Sequence, residues 1–324
     1  MHEEIGGYLE LERFSGILLH EEALRLGSGR ACLSYLIEQK KIRSLLLPDL
    51  ICDVVEQVCE RYGVKVRRYP IGLDLRPEEL RTESGEWLYL VNYYGQLTRE
   101  EIKIYAERFP QLIVDNAHAY FDMPVKGADT LYTCRKFFGV ADGGFLYTDA
   151  ETAELRADES RDRMGFVLGR FERPAGEYFA EASQNNELLP PEPRRMSRLT
   201  ENLLRAADAE KAKTARTENA RMLHEALGKY NQLCARAAEG AYAYPLMLEN
   251  GAEIRRELIK QRIYIPTLWP NVLRDQPEDS AAYQLASRIL PLPCDQRYGP
   301  EEMAFIIKAA ERCIRKDQET CYEH

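Results

Sequence analysis

From about residue 26 to residue 148, short apolar runs alternate with amphipathic stretches, and this alternation restricts the fold more than any other feature. The runs "SLLLPD", "VKVRRYPI", "WLYLVNYYG", "LIVDNAHAY", "TLYTC" and "GGFLYT" read as strands. "GRACLSYLIEQKK", "CDVVEQVCERYG" and "TREEIKIYAERF" read as helices, the last opened by a threonine cap with acids in its first turn. Near-continuous apolar strands are buried on both faces, and strand–helix–strand units of this kind build a mostly parallel sheet. The expectation is an α/β fold: a three-layer large domain around a mostly parallel sheet, followed by a smaller C-terminal α/β domain.

The character changes after Asp149. Residues 150–235 are charged and mainly helical in pattern, with the proline-rich break "LLPPEPRRMSR". One long helix is expected over "SRLTENLLRAADAEKAKTARTENARMLHEALGKY", and shorter strands over "AYAYPLML" and "RIYIPTLW". "GPEEMAFIIKAAERCIRK" reads as the last helix. The predicted division is a large domain with a helical bridge over residues 1–215 and a small domain over 216–324.

Composition bounds the function. The 324 residues are 45% apolar, enough for a substantial core, and carry a formal net charge of −9. Such an acidic chain is a poor candidate for coating nucleic acid or an anionic membrane. The eight cysteines form no C-x-x-C and none stands at metal-ligand spacing with a histidine, so no metal site and a reduced, cytoplasmic setting are expected. The first residues lack a signal-peptide pattern, and the longest apolar runs are too short to span a bilayer.

In open α/β sheets ligands sit at the carboxyl ends of the strands. There the sequence places Ser28, Gly29 and Arg30 in a turn that opens a helix, then Cys52, then Asn92, Tyr93 and Tyr94. Asp115 and His118 end a further strand, and Thr133, Arg135 and Lys136 the next. Singly, each has an ordinary reading: a turn and cap, a structural histidine, a surface lysine, packing tyrosines. Together they supply a cradle for a phosphate, an anion for a heteroaromatic nitrogen and an amine for a carbonyl, which are the needs of pyridoxal 5′-phosphate.

"IVDNAHAY" followed by "YTCRKFFGVADGGFLYT" resembles the DegT/DnrJ/EryC1/StrS family of sugar aminotransferases, which are fold type I pyridoxal-phosphate enzymes. "GSGRACLSYLI" is similar to the family's "SGxxAL" phosphate loop, "LVNYYGQ" to its "VHxYGQ" segment and "PRRMSRLTENLL" to its "NxRMSEL". The resemblance extends through "RIYIPTLWP" and "LPLPCDQRYGPEEM" and so covers nearly the whole chain.

It implies that Lys136 bonds covalently to the cofactor aldehyde and then carries the substrate proton. Phe137 and Phe138 would keep that amine dry. Asp115 would hold the pyridine nitrogen protonated, and His118 would approach the phenolic oxygen. Ser28, Gly29, Arg30 and Thr133 would serve the phosphate. Cys52 stands where the family stacks an aromatic side chain on the ring, and Asn92 stands for a common histidine. Arg30 stands for a small hydroxyl residue, and Pro193 for an asparagine that reaches the neighbouring subunit.

Tyr93, Tyr94, Arg194 and Arg195 are the substrate candidates, the arginines as cations offered across a homodimer interface. The implied reaction moves an amino group from a donor, glutamate, to a keto acceptor such as a nucleotide-linked keto sugar. Two alternatives stay open: another pyridoxal-phosphate reaction on the same scaffold, and a non-catalytic relative with a regulatory or ligand-binding role.

Overall fold

The computed structural model describes residues 5–322. Seven strands form one sheet: β1 (Leu24–Leu26), β2 (Ser44–Pro48), β3 (Lys65–Tyr69), β4 (Trp87–Val91), β5 (Leu112–Asp115), β6 (Asp129–Thr133) and β7 (Gly144–Tyr147). Their spatial order is β1-β7-β6-β5-β4-β2-β3, and only the two pairings made by β7 are antiparallel. The expected mostly parallel sheet is therefore present. Leu45, Leu47, Leu88, Leu90 and Ile113 are fully buried in it, each stabilising the fold by about 1.5–3 kcal/mol relative to an exposed position. Helices α1 (Gly29–Gln39), α2 (Asp53–Arg61) and α3 (Arg99–Arg108) connect its strands.

Next come α4 (Gly165–Glu172), α5 (Phe179–Leu188), α6 (Arg198–Ala206) and α7 (Ala209–Leu227). The single long helix expected from Ser197 to Tyr230 is broken. Ser197 caps α6 by accepting the Thr200 N–H at 3.2 Å. Asp208 then starts a new helix by accepting the Lys211 N–H at 2.9 Å. Beyond these lie β8 (Tyr244–Met247), α8 (Gly251–Lys260), α9 (Pro270–Asp275), α10 (Ala281–Arg288), β9 (Ile289–Leu292) and α11 (Pro300–Tyr322).

β8 and β9 form a separate antiparallel pair. The expected strand "RIYIPTLW" is not formed: Arg262 and Trp269 have left-handed φ values of 63° and 54°, and Pro266 lies between them with no N–H to donate. Helix α7 runs across residue 215. Its Ala212 packs with Tyr120 and Phe137 under the large sheet, while Ala220, Leu223 and Leu227 pack with the β8–β9 core.

The topology gathers chain ends on one edge. β1, β2, β4, β5 and β6 all point the same way, so the residues following each emerge together, while β7 begins there. Leu26, Gly144 and Thr133 lie side by side across three strands. A Cβ on Gly144 would come 2.7 Å from the Ser28 carbonyl carbon, so only glycine lets the start of α1 settle on this edge.

Candidate active site

Asp115 is the last residue of β5. Its Oδ2 accepts the Tyr89 hydroxyl at 2.8 Å and its Oδ1 accepts the Ala117 N–H at 2.8 Å. Burial raises the carboxyl above its ordinary range, against the attraction of Lys136 and these two donors.

Lys136 sits in a tight turn after β6, in which the Phe137 and Phe138 N–H groups both donate to the Cys134 carbonyl at 2.9 Å. Its Nζ lies 5.5 Å from the centroid of the Tyr242 ring. Burial lowers its pKa, while Asp115 and Cys52 raise it and Arg135 lowers it again. The residue is nonetheless exposed. The two observations agree once the setting is seen: the amine is surrounded by protein but faces a cavity that solvent reaches. A ligand filling that cavity would complete the desolvation.

The two phenylalanines pack mainly towards Tyr120 and Phe121, and Phe137 also meets Tyr242, the ring that faces the amine, with centroids 6.1 Å apart. Phe137 is buried in the cluster of Tyr120 and Phe121, and Phe138 packs against the same two rings. The turn is pinned from elsewhere. The Phe137 carbonyl accepts from Arg216 at 3.3 Å and from Gln296 at 2.6 Å. Arg216 also lies 4.7 Å over the Phe137 ring and donates to the Ala241 carbonyl.

His118 is buried and stacked on Tyr242, centroids 4.5 Å apart at 18°. Burial holds it neutral, well below the usual histidine pKa. Its Nδ1 accepts the Tyr94 N–H at 3.4 Å, which places the proton on Nε2 as a donor.

At the neighbouring corner Ser28 caps α1 by accepting the Ala31 N–H at 3.1 Å. The N–H groups of Gly29 and Arg30 then have no partner within the helix and face outward from its positive end. Cys52 precedes α2, its thiol 3.5 Å from the Asp53 carboxylate and raised in pKa by burial. Thr133 is buried and directs its one proton to the Gly143 carbonyl at 3.3 Å.

Within one chain the substrate candidates are not brought together with Lys136, which bears on the two tyrosines and not on the arginines expected to reach a neighbouring subunit. Tyr93 is fully buried and donates to the Leu50 carbonyl, and Tyr94 packs behind His118 against Trp269. Asn92 closes its own turn, accepting the Leu97 N–H at 2.9 Å. The Arg194 side chain lies 3.6 Å from Asp158. Arg195 is exposed on a broad groove of about 770 Å³ beside β1, which holds none of Asp115, His118 or Lys136.

The cavity that does hold Lys136 is smaller, about 450 Å³, and is lined also by Arg135, Asn186, Tyr242, Tyr264 and Asp295. Asp115 and His118 do not line it; both feel the Lys136 charge from behind it. The sequence reading missed Tyr242, Arg216, Tyr89 and Asn186. For Tyr89 a signal existed: β4 and β5 are neighbouring apolar strands, and its hydroxyl needs a buried acceptor.

No family model matches the chain, and no curated protein matches it. Solved structures do. DesV of S. venezuelae is 16% identical, with 90% of this chain and 84% of that one covered and a TM-score of 0.63. A DegT DnrJ EryC1 StrS aminotransferase from Brucella abortus is 16% identical, with 89% and 85% covered and a TM-score of 0.62. Spr1654 from Streptococcus pneumoniae, in its PLP form, is 14% identical, with 92% and 89% covered and a TM-score of 0.65. The chain shares their fold. The architecture expected from the sequence is thus that of solved sugar aminotransferases, along nine-tenths of the chain. Among the described residues no cluster of His, Cys, Asp and Glu could hold a metal, and no helix is long and apolar enough to cross a membrane.

Proposed function

We propose that the chain is a pyridoxal-phosphate-dependent aminotransferase of the sugar type. The observation that carries this reading is the pairing of Asp115 with Lys136. A carboxylate braced by two donors and an amine of lowered pKa leave adjacent parallel strands and feel each other's charge.

In chemical type the residues fit the group, Asp115 and His118 standing just outside the cavity that Lys136 lines. The set holds a carboxylate for a ring nitrogen, an imidazole N–H for an oxygen, an amine and a helix N-terminus. It also holds a buried guanidinium nitrogen, Arg135 Nε, that has no partner. When bound, pyridoxal phosphate supplies an aldehyde for amine exchange and an electron-withdrawing ring. Asp115 would hold a proton at the ring nitrogen through a charge-assisted hydrogen bond. Lys136 Nζ, whose pKa burial lowers, would take a proton from the substrate carbon in its uncharged form and return it. His118 Nε2–H would donate to the ring's phenolic oxygen, and the Gly29 and Arg30 N–H groups would bind phosphate.

We read the amino donor as glutamate, the acceptor as a nucleotide-linked keto sugar and the working unit as a homodimer. The exposed apolar side chains Phe171 and Phe179, 92% and 74% accessible, favour an assembly larger than one chain. Cys32, Cys52, Cys59, Cys134, Cys234, Cys294 and Cys313 are free, which suits a reducing cytoplasm.

The test is spectroscopic. Protein incubated with pyridoxal phosphate should gain the absorbance of lysine-bound cofactor, Lys136→Ala should lose it entirely, and L-glutamate should convert it. A wild-type protein without that band ends the proposal; a band unmoved by any amino donor would leave binding without transamination.

A further inference from the structure

Arg30 at the start of α1 and Arg135 beside the lysine come from chain ends far apart in sequence, yet both reach one residue of α5. Arg30 Nη2 donates to the Asn186 backbone carbonyl, and Arg135 Nη1 donates to Asn186 Oδ1 at 2.6 Å. Among the described residues neither makes an ion pair. Arg163 and Arg194, by contrast, both pair with Asp158. Asp53 attracts Arg30 without an ion pair.

The two guanidinium groups repel each other, and burial, with that repulsion and Arg163's, pushes Arg135 down to about 10. Its Nε is buried and unpartnered. Two neutral oxygens of one asparagine therefore stand where paired arginines bind an anion best.

We propose that Arg30 and Arg135 form a clamp for a phosphate monoester dianion at the N-terminus of α1, and that Asn186 occupies the clamp until the dianion displaces it. A phosphate presents three oxygens, enough for both guanidinium groups and the Gly29 and Arg30 N–H groups at once. The side-chain half of the latch can let go without unfolding its support, whereas the Arg30 guanidinium must swing off a backbone carbonyl in the last turn of α5. Asn186 is exposed, whereas the adjacent Asn185 is buried and donates to the Ala141 carbonyl at 2.8 Å, and Leu189 is buried. Arg135 and Asn186 line the same cavity as Lys136, so the displaced side chain moves at the cavity wall. The clamp rests on the aminotransferase reading only for the bearer of the phosphate, cofactor or phosphorylated substrate.

Inorganic phosphate titrated into the full chain, followed by equilibrium dialysis and thermal unfolding, tests it. Wild type should bind one phosphate and melt higher. Arg30→Gln and Arg135→Gln should each weaken binding about tenfold or more, in keeping with the loss of a charge-assisted contact. Asn186→Ala should tighten it severalfold, because the dianion no longer competes with the latch.

Circular dichroism checks that each variant folds, and Asn186→Ala, a gain of affinity, cannot be explained by misfolding. Absent phosphate binding in wild type, or affinity unchanged in both arginine variants, overturns the clamp; unchanged or weaker binding in Asn186→Ala overturns the latch. Pyridoxal phosphate against pyridoxal then separates the bearers. A covalent band that favours the phosphate form in wild type, with the preference lost in the arginine variants, assigns the clamp to the cofactor. An equal preference with intact inorganic phosphate binding assigns it to a substrate. Phosphate binding with no covalent band upholds the clamp and sinks the aminotransferase reading.

Discussion

His20 is enclosed by Tyr120, Tyr132, Phe145 and Tyr147. Both its ring nitrogens are engaged, Nε2 2.7 Å from the Tyr120 carbonyl oxygen and Nδ1 3.3 Å from the Tyr147 hydroxyl. His118 is equally buried and equally aromatic in its surroundings, yet its Nδ1 takes a long bond from Tyr94 and its Nε2 has no hydrogen bond among the described residues. Burial keeps both rings neutral. What separates the two histidines is the unspent donor of the one that feels Lys136, not the depth or chemistry of the setting, and on that difference rests the proposal that His118 works and His20 does not.

The largest expected effect concerns the structural partner. Burial, against the Tyr120 carbonyl, lowers the His20 pKa from 6.5 to about 4. The unfolded chain therefore takes up the proton first. The contribution to stability is complete above pH 6.5 and falls away as pH drops from 6.5 to about 4, a loss of about 3 kcal/mol. Urea unfolding at pH 7 and pH 4.5 should show it, and His20→Phe should reduce that dependence, leaving the share that the buried His118 contributes. A wild-type stability level across this range would break the contrast.

Turnover gives the complementary test. His118→Phe should cut transamination about hundredfold, the lower range for loss of one positioned proton donor, while His20→Phe should leave it within about threefold once folded. Equal losses would mean that both rings are only scaffolding.

A smaller effect is expected at the stacked ring: Tyr242→Leu should cost about 0.5–1.5 kcal/mol of stability beyond the lost area, read from the denaturation midpoint. The smallest is a shift of midpoint. Lowered by burial, Lys136 should capture pyridoxal phosphate with a midpoint below that of an ordinary lysine. Asp115→Asn should move it lower still, because Asp115 raises that pKa; an upward move would show that the two do not share a field.

Strands β2, β4, β5, β6 and β7 were legible in the sequence because both of their faces are buried and their composition carries that signal. That Asp115 and Lys136 come close together was legible because a parallel sheet sends successive strand ends to one edge. The rest depended on contacts that no local pattern encodes. Tyr242 reaches His118 from far along the chain, and Arg216 holds a carbonyl 79 residues away. Tyr93 and Tyr94 looked like ligands because a strand-end aromatic can face either way; here the Tyr93 hydroxyl satisfies the Leu50 carbonyl inside the core. Asp208 broke a helix whose apolar spacing runs on past it, since a cap of one residue outweighs a face that still matches.

The pinning of the Lys136 turn by Arg216 and Gln296 has a consequence for the birth of the protein. A ribosome completes the large sheet's strands by Tyr147, but the groups that fix the Phe137 carbonyl are translated about 80 and 160 residues after it. A nascent chain thus carries the amine proposed to react long before that amine is held in place, and its turn is fully pinned only once Gln296 has been made.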